Sequence, residues 1–258
     1  MCATTGHSAA RPTTRCGSPW STGPVENDYD AFAEAYAAEN EQSLVNAYHA
    51  RPAVLELLGD VAGRRVLDAG CGAGPVLADL RARGATVAGF DASAAMLDLA
   101  RERLGPDVAL RLADLAEPWP YSDGAFDDVV ACLVLHYLRD WSAPLAELRR
   151  VLRPGGRAVV VVNHPIIYKL AHPEADYFAL TRWSDEYTFA GQHAVLTYWH
   201  RPLAAMTAAF TSAGFRISVI DEPPPAPGAR ERFPHEFGEQ LRGREAFLCF
   251  LFFVLDAV

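Results

Sequence analysis

Residues 64 to 74 read Arg-Arg-Val-Leu-Asp-Ala-Gly-Cys-Gly-Ala-Gly. A short apolar strand at Val66 and Leu67 runs into Asp68, then into glycines at alternate positions, Gly70, Gly72 and Gly74, and helix-forming residues follow from Val76 to Arg83. A strand that ends in a glycine turn and passes into a helix lets backbone N–H groups approach a ligand closely. The stretch outlines a nucleotide-cofactor site.

Working outward, the same strand-then-helix unit repeats. Thr86 to Phe90 reads as a second strand ending in Asp91, and Ser93 is placed to cap a helix running to Leu104. Val108 to Leu112 reads as a third strand, ending at Asp114. Phe126 to Leu135 is nearly all apolar after Asp128, as expected of a central parallel strand. A helix over Ser142 to Val151 stops at Pro154-Gly155-Gly156, and Arg157 to Val162 reads as the fifth strand. This alternation predicts a Rossmann-like, doubly wound α/β fold with a mostly parallel sheet.

Upstream, residues 1 to 24 are rich in Ser, Thr, Gly, Ala, Pro and Arg without periodicity and read as a disordered tail. Tyr29, Phe32, Ala33, Tyr36 and Ala37 recur at helical spacing, and Leu44, Val45 and Tyr48 continue on a second short helix. Residues 25 to 60 are therefore expected to form a helical lid, an aromatic stripe on the main domain with Tyr29 or Tyr36 over the cofactor. Pro52 to Asp60 reads as its last helix, stopped by Gly63. The main domain is expected over 61 to 258. Its pattern breaks at 163 to 201, an aromatic- and histidine-rich insertion that should lie at the carboxyl edge of the sheet, where ligands bind in such folds. Pro202 to Ala213 reads as a helix and Phe215 to Ile220 as a strand. Asp221 to Gln240 reads as a loop and Ala246 to Val254 as the closing strand.

Composition narrows the function. The net charge of −9 and the scarcity of lysine, only Lys169, argue against a nucleic-acid surface. The five cysteines, Cys2, Cys16, Cys71, Cys132 and Cys249, are widely spaced and suggest reduced thiols in a cytoplasmic protein. The most apolar run, Ala246 to Leu255, falls short of the roughly 20 residues that span a bilayer. A small-molecule substrate, no membrane partner and no metal are expected, and a homodimer is left open.

The glycine spacing decides between cofactors. A dinucleotide turn, G-x-G-x-x-G, would place its third glycine at position 75, which is Pro75. The acids at the strand ends add a second criterion. Asp91 could accept from both ribose hydroxyls, Asp114 could hold the adenine amino group with Leu115 over the ring, and Asp68 could face a cationic amino-acid end. A pyrophosphate is repelled by Asp68, whereas an ammonium or sulfonium is attracted. Each acid alone could equally be a helix cap or a solvated turn; together they favour S-adenosylmethionine over NAD.

The segments V-L-D-A-G-C-G-A-G, V-A-G-F-D-A-S, L-R-L-A-D-L, F-D-D-V-V-A-C-L-V-L-H-Y-L and E-L-R-R-V-L-R-P-G-G-R resemble the class I S-adenosylmethionine-dependent methyltransferases, most of all the small-molecule, ubiquinone- and menaquinone-biosynthesis-like branch. The resemblance runs from about Tyr29 to Val162. It implies a seven-stranded sheet with an antiparallel last strand, S-adenosylhomocysteine as product, and these roles: Asp68, Gly70, Gly72 and Gly74 around the methionine moiety, Asp91 and Ala92 at the ribose, Met96 on the adenine, Asp114 and Leu115 at the adenine edge, and Cys132 and Leu133 on the methionine side under Tyr29. Cys132 departs from the family pattern, where Ser or Asn is frequent. The expected reaction is in-line methyl transfer to an oxygen, nitrogen or carbon acceptor, in a bacterial secondary-metabolism setting. Alternatives are an NAD-type dehydrogenase, or a member that uses the cofactor without transferring the methyl. If the acceptor needs a base, His136 and His164 are the candidates. Trp183, Tyr187, Tyr198 and His200 are expected to line the acceptor.

Overall fold

The computed structural model describes residues 27 to 258; the proposed N-terminal tail, with Cys2 and Cys16, lies outside them. The repeating units form a seven-stranded sheet in the order β3-β2-β1-β4-β5-β9-β8. Its strands are β1 (Arg65–Ala69), β2 (Thr86–Asp91), β3 (Ala109–Leu112), β4 (Phe126–Cys132), β5 (Leu152–Asn163), β8 (Phe215–Asp221) and β9 (Phe250–Ala257). The β1–β2, β2–β3, β1–β4 and β4–β5 pairs are parallel, and β9, last in the chain, runs antiparallel to both β5 and β8.

The central strands are buried on both faces, so their side chains divide by parity into two cores. Val160 and Val162 join Leu67, Phe90 and Phe253 beneath α5 (Ser142–Val151) and α7 (Leu203–Ser212). Val159 and Val161 join Val66, Val130 and Phe252 beneath α2 (Arg51–Leu58) and α3 (Pro75–Ala82). Because the chain leaves β1 towards β2 and β3 but later builds β4 on the other side of β1, the strand order reverses there. The crevice at the carboxyl ends of β1 and β4 is the switch point where ligands bind in open α/β sheets.

Several boundaries differ from those read from the sequence. The helix expected over Pro52 to Asp60 ends at Leu58, because Gly59 takes φ +62 and breaks it before Gly63. Strand β4 ends at Cys132 rather than Leu135, because Leu133 turns into the left-handed region at φ +60. The closing strand starts at Phe250, not Ala246, in register with Asn163. The proline-rich segment is not all loop: Ala229–Arg232 and Glu236–Gln240 form short helical turns. The insertion is ordered too, as α6 (Pro165–Ala171) followed by a hairpin of β6 (Thr181–Phe189) on β7 (Gln192–His200). Among the described residues no helix is long and apolar enough to cross a membrane.

At the opposite, amino end of the sheet Asp128 is fully buried. Arg64 binds both its carboxylate oxygens, with the Nη2–Oδ1 bond at 2.9 Å, and Arg157 Nε donates to Oδ1 at 2.8 Å. Asp128→Ala would strand two guanidinium groups around an apolar hole. Removing one partner of a buried ion pair costs about 3–5 kcal/mol. Urea unfolding should show that loss as a lower midpoint at unchanged slope.

Candidate functional site

The glycine turn is built by its contacts with β2. The N–H groups of Gly70 and Cys71 both donate to the Phe90 carbonyl, at 2.8 and 2.9 Å, which fixes the turn against the neighbouring strand. Gly70 has φ +79, and a Cβ there would lie 2.4 Å from Val134 Cγ1. No larger residue fits between β1 and the segment after β4. Gly74 does different work. At φ +76 it caps α3, and a Cβ would meet Leu104 and Ala100 of α4 (Ala94–Leu104) at 3.0 and 3.3 Å. Pro75, where the dinucleotide pattern wants glycine, is the first residue of α3, a position that tolerates a missing N–H.

Asp91 closes the turn from the other side. Its Oδ2 accepts from the Gly72 N–H at 2.8 Å and its Oδ1 from the Ser93 N–H at 2.9 Å. Each oxygen keeps a lone pair for a further donor. Burial pushes the Asp91 carboxyl up, against the pull of these N–H bonds. Asp68, at the end of β1, is 3% exposed. Burial, with the Asp91 charge second, pushes its carboxyl up to about 7. A buried and a half-buried acid on adjacent strand ends make a site that favours a cation.

These groups face a cavity of about 470 Å³, within the ~300–1,000 Å³ typical of small-molecule sites. Tyr29, Asp68, Gly70, Gly72, Asp91, Ala92, Met96, Asp114, Leu115, Cys132 and Leu133 line it; Gly74 does not, being taken up by the α3–α4 contact. Met96 is held there by α4, whose first turn Ser93 caps by accepting from the Met96 N–H at 3.1 Å. Asp114 uses Oδ1 to accept from Ala116 at 2.8 Å.

The cavity is roofed by the N-terminal segment, through contacts the sequence does not spell out. Asp30 accepts from Ser93 Oγ at 2.5 Å and from the Ala95 N–H at 2.9 Å, docking the segment on the start of α4. Asn27 pairs with the backbone of Thr197 through both amide atoms, at 3.1 and 2.7 Å. Tyr29 and Tyr137 share a hydroxyl–hydroxyl bond of 2.5 Å. Tyr36, Tyr137, Asn40, Asn46 and Arg51 also line the cavity.

The expected catalytic histidines do not reach it. His136 lies in a short helical turn after β4, edge-on to Tyr137 and Tyr198, with its Nδ1 accepting from the Asn163 N–H at 3.2 Å. Burial pushes its imidazole down to about 3. His164 caps α6, accepting from Ile166 N–H at 3.2 Å, while its Nε2 bonds Glu222 at 2.5 Å beside a separate surface cleft. The capping bond consumes Nδ1 as acceptor, so Nε2 carries the proton. The expected acceptor wall is also one layer back. Tyr198 stacks on Tyr137 at 5.4 Å, packs on Trp183 at 5.1 Å and bonds the Tyr187 hydroxyl at 3.2 Å. His200 stacks on Tyr168 at 4.4 Å and bonds the Tyr177 carbonyl at 2.7 Å. None of the four lines the cavity: Tyr198 braces Tyr137, Trp183 and Tyr187 pack on Tyr198, and His200 sits against Tyr168 and Tyr177 away from it. Among the described residues no cluster of His, Cys, Asp and Glu is arranged to hold a metal.

A carboxyl pushed up from 3.8 to about 7 makes the native state hold more protons than the unfolded chain between those values. Stability of the unliganded protein should therefore fall as pH rises from about 4 to 7. Urea midpoints at the two ends of that window should differ less in Asp68→Asn than in the parent; an unchanged difference would place the titration elsewhere.

Residues 67–160 match the family described as a methyltransferase domain. Demethylmenaquinone methyltransferase of Tropheryma whipplei (strain Twist) is 34% identical over 148 residues, 56% of this chain and 61% of that protein. The methyltransferase GfsG of Streptomyces halstedii is 36% identical over 143 residues, 53% of this chain and 47% of that protein. The chain thus spans less than two thirds of the length of these curated relatives. An S-adenosylmethionine-dependent methyltransferase from Mesorhizobium loti superimposes with a TM-score of 0.61 and 27% identity, covering 80% of this chain and 96% of that chain.

Proposed function

We propose that this chain, whose residues 67–160 match the methyltransferase-domain family and whose fold is of the class I S-adenosylmethionine-dependent type, transfers a methyl group from S-adenosylmethionine to a small-molecule acceptor. The observation that carries the proposal is the pairing of buried Asp68 and half-buried Asp91 around the glycine turn in one cavity. When bound, the cofactor supplies an electrophilic sulfonium methyl. Asp68 would hold its ammonium, and the positive-φ glycines would leave room for the methionine backbone. Asp91 would take the ribose hydroxyls with the lone pairs its N–H partners leave free. Met96 and Leu115 would sandwich the adenine, and Asp114 would accept from its amino group.

Under this reading residues 27 to 60 are the described part of the lid, and the hairpin within the 163–201 insertion supports it. Tyr29 and Tyr137 close the cavity against water, so alignment and desolvation would provide most of the rate. The acidic net charge and the absence of a basic run favour a free small molecule over a nucleic acid, and a soluble, cytoplasmic setting is the matching assignment. The relatives above, one named for demethylmenaquinone and one from a Streptomyces, support a bacterial small-molecule acceptor.

Melting curves give the first test. S-adenosylhomocysteine should raise the melting temperature and NADH should not; a rise with NADH alone would overturn the assignment. Asp91→Ala removes a charge-assisted bond of about 1.5–3 kcal/mol, equivalent to roughly ten- to hundredfold weaker cofactor binding by calorimetry.

A further inference from the structure

The residues that line the cavity also restrict the acceptor. Three tyrosines meet in it, with the Tyr29 ring steeply inclined to those of Tyr36 and Tyr137. Tyr29 stands edge-on to Tyr36 at 5.0 Å and 82°, and to Tyr137 at 6.1 Å and 73°. All three line the cavity. Tyr36 is fixed from behind by Phe189 at 5.3 Å, and Tyr137 by Tyr198. Three tyrosine rings lining one cavity, two of them steeply inclined to the Tyr29 ring, offer π-surface to a methylated cation.

The charges around the cavity point the same way. Asp68, Asp91, Asp114 and Glu41 line it, against one cation, Arg51, which is itself bound to Glu41 at 3.0 Å. An anionic nucleophile, whether phenolate, carboxylate or thiolate, would have to enter this field. The three aspartates that could act as bases inside are taken, under the methyltransferase reading, by the cofactor's ammonium, ribose and adenine amino group. Among the described residues no histidine lines the cavity, Glu41 is tied to Arg51 and Arg103, and burial pushes the phenols of Tyr29, Tyr36 and Tyr137 up.

We propose that the acceptor is a neutral amine, methylated on nitrogen against the Tyr29, Tyr36 and Tyr137 rings. The inference rests on the methyltransferase reading. The nitrogen lone pair forms the new N–C bond as the C–S bond breaks, and that bonding pair leaves on sulfur as a neutral thioether. The positive charge passes from sulfur to nitrogen and is not extinguished, so an acidic, aromatic site favours it before and after transfer. A primary or secondary acceptor then releases one proton to solvent on leaving.

The test is binding by the protein saturated with S-adenosylhomocysteine, followed by NMR titration with tetramethylammonium, tert-butanol and methanesulfonate at constant ionic strength. These three differ in charge at similar size. Tetramethylammonium should bind at least tenfold more tightly than tert-butanol, with methanesulfonate weakest. The preference should persist in Tyr137→Phe, which keeps the ring, and fall below threefold in Tyr137→Leu. Equal binding of the three, or failure of the cation to bind the loaded wild-type protein, overturns the proposal whether or not the variants fold. A protein that does not bind S-adenosylhomocysteine at all would instead remove the methyltransferase reading.

Discussion

Asp68 and Asp91 stand at the ends of adjacent parallel strands, and the sheet brings both carboxyls to one turn beneath the N-terminal segment. Taking such groups out of water costs several kcal/mol each when they are charged. Asp91 is compensated by two backbone N–H groups at 2.8 and 2.9 Å; Asp68 has no comparable donor, and its carboxyl rises to about 7. The rest of the site follows from holding that arrangement in place. Gly70 lets the segment after β4 approach the turn, Gly74 lets α3 seat on α4, and the paired N–H groups on the Phe90 carbonyl lock the turn to β2. An acid left without a donor in a cavity is one that a cationic ligand would stabilise.

The roof is held as firmly as the floor. Asp30 caps α4, Asn27 pairs with the hairpin backbone, and Phe32 stacks on Phe189 at 5.6 Å. The N-terminal segment, the turn after β4 and the hairpin therefore share one aromatic cluster, with Tyr29 and Tyr137 on its inner surface. The hairpin acts on the cavity at second hand, through Tyr198 behind Tyr137.

This layering explains what the sequence did and did not disclose. The glycine turn, the carboxylates and the parallel strands were legible because each is a local pattern with a local cause: positive-φ glycines, strand-end acids, apolar runs buried on both faces. The same logic reached Asp68 and Asp91 on β1 and β2, whereas Cys132 on β4 came from the family resemblance. It failed for His164, whose position after a strand suggested chemistry, whereas the following Pro165 opens a helix that the histidine caps. It failed for Trp183, Tyr187 and Tyr198 because a hairpin's register, not its composition, decides which ring faces inward. Tyr137 was missed although it sits one residue from His136; the cue was the short helical turn that follows Leu133. Asp30 and Asn27 act across more than 60 residues of chain and leave no local signature.

The central claim is that Asp68 awaits a cation, and proton release on cofactor binding tests it most directly. Calorimetric titration with S-adenosylmethionine near pH 6, in buffers of different ionisation enthalpy, counts the protons released. A carboxyl titrating at about 7 is mostly protonated there. Pairing it with the ligand's ammonium should expel close to one proton, and affinity should rise with pH until it levels above about 7. Asp68→Asn should release almost none. Binding without proton release, with equal affinity at pH 6 and 8, would contradict the account.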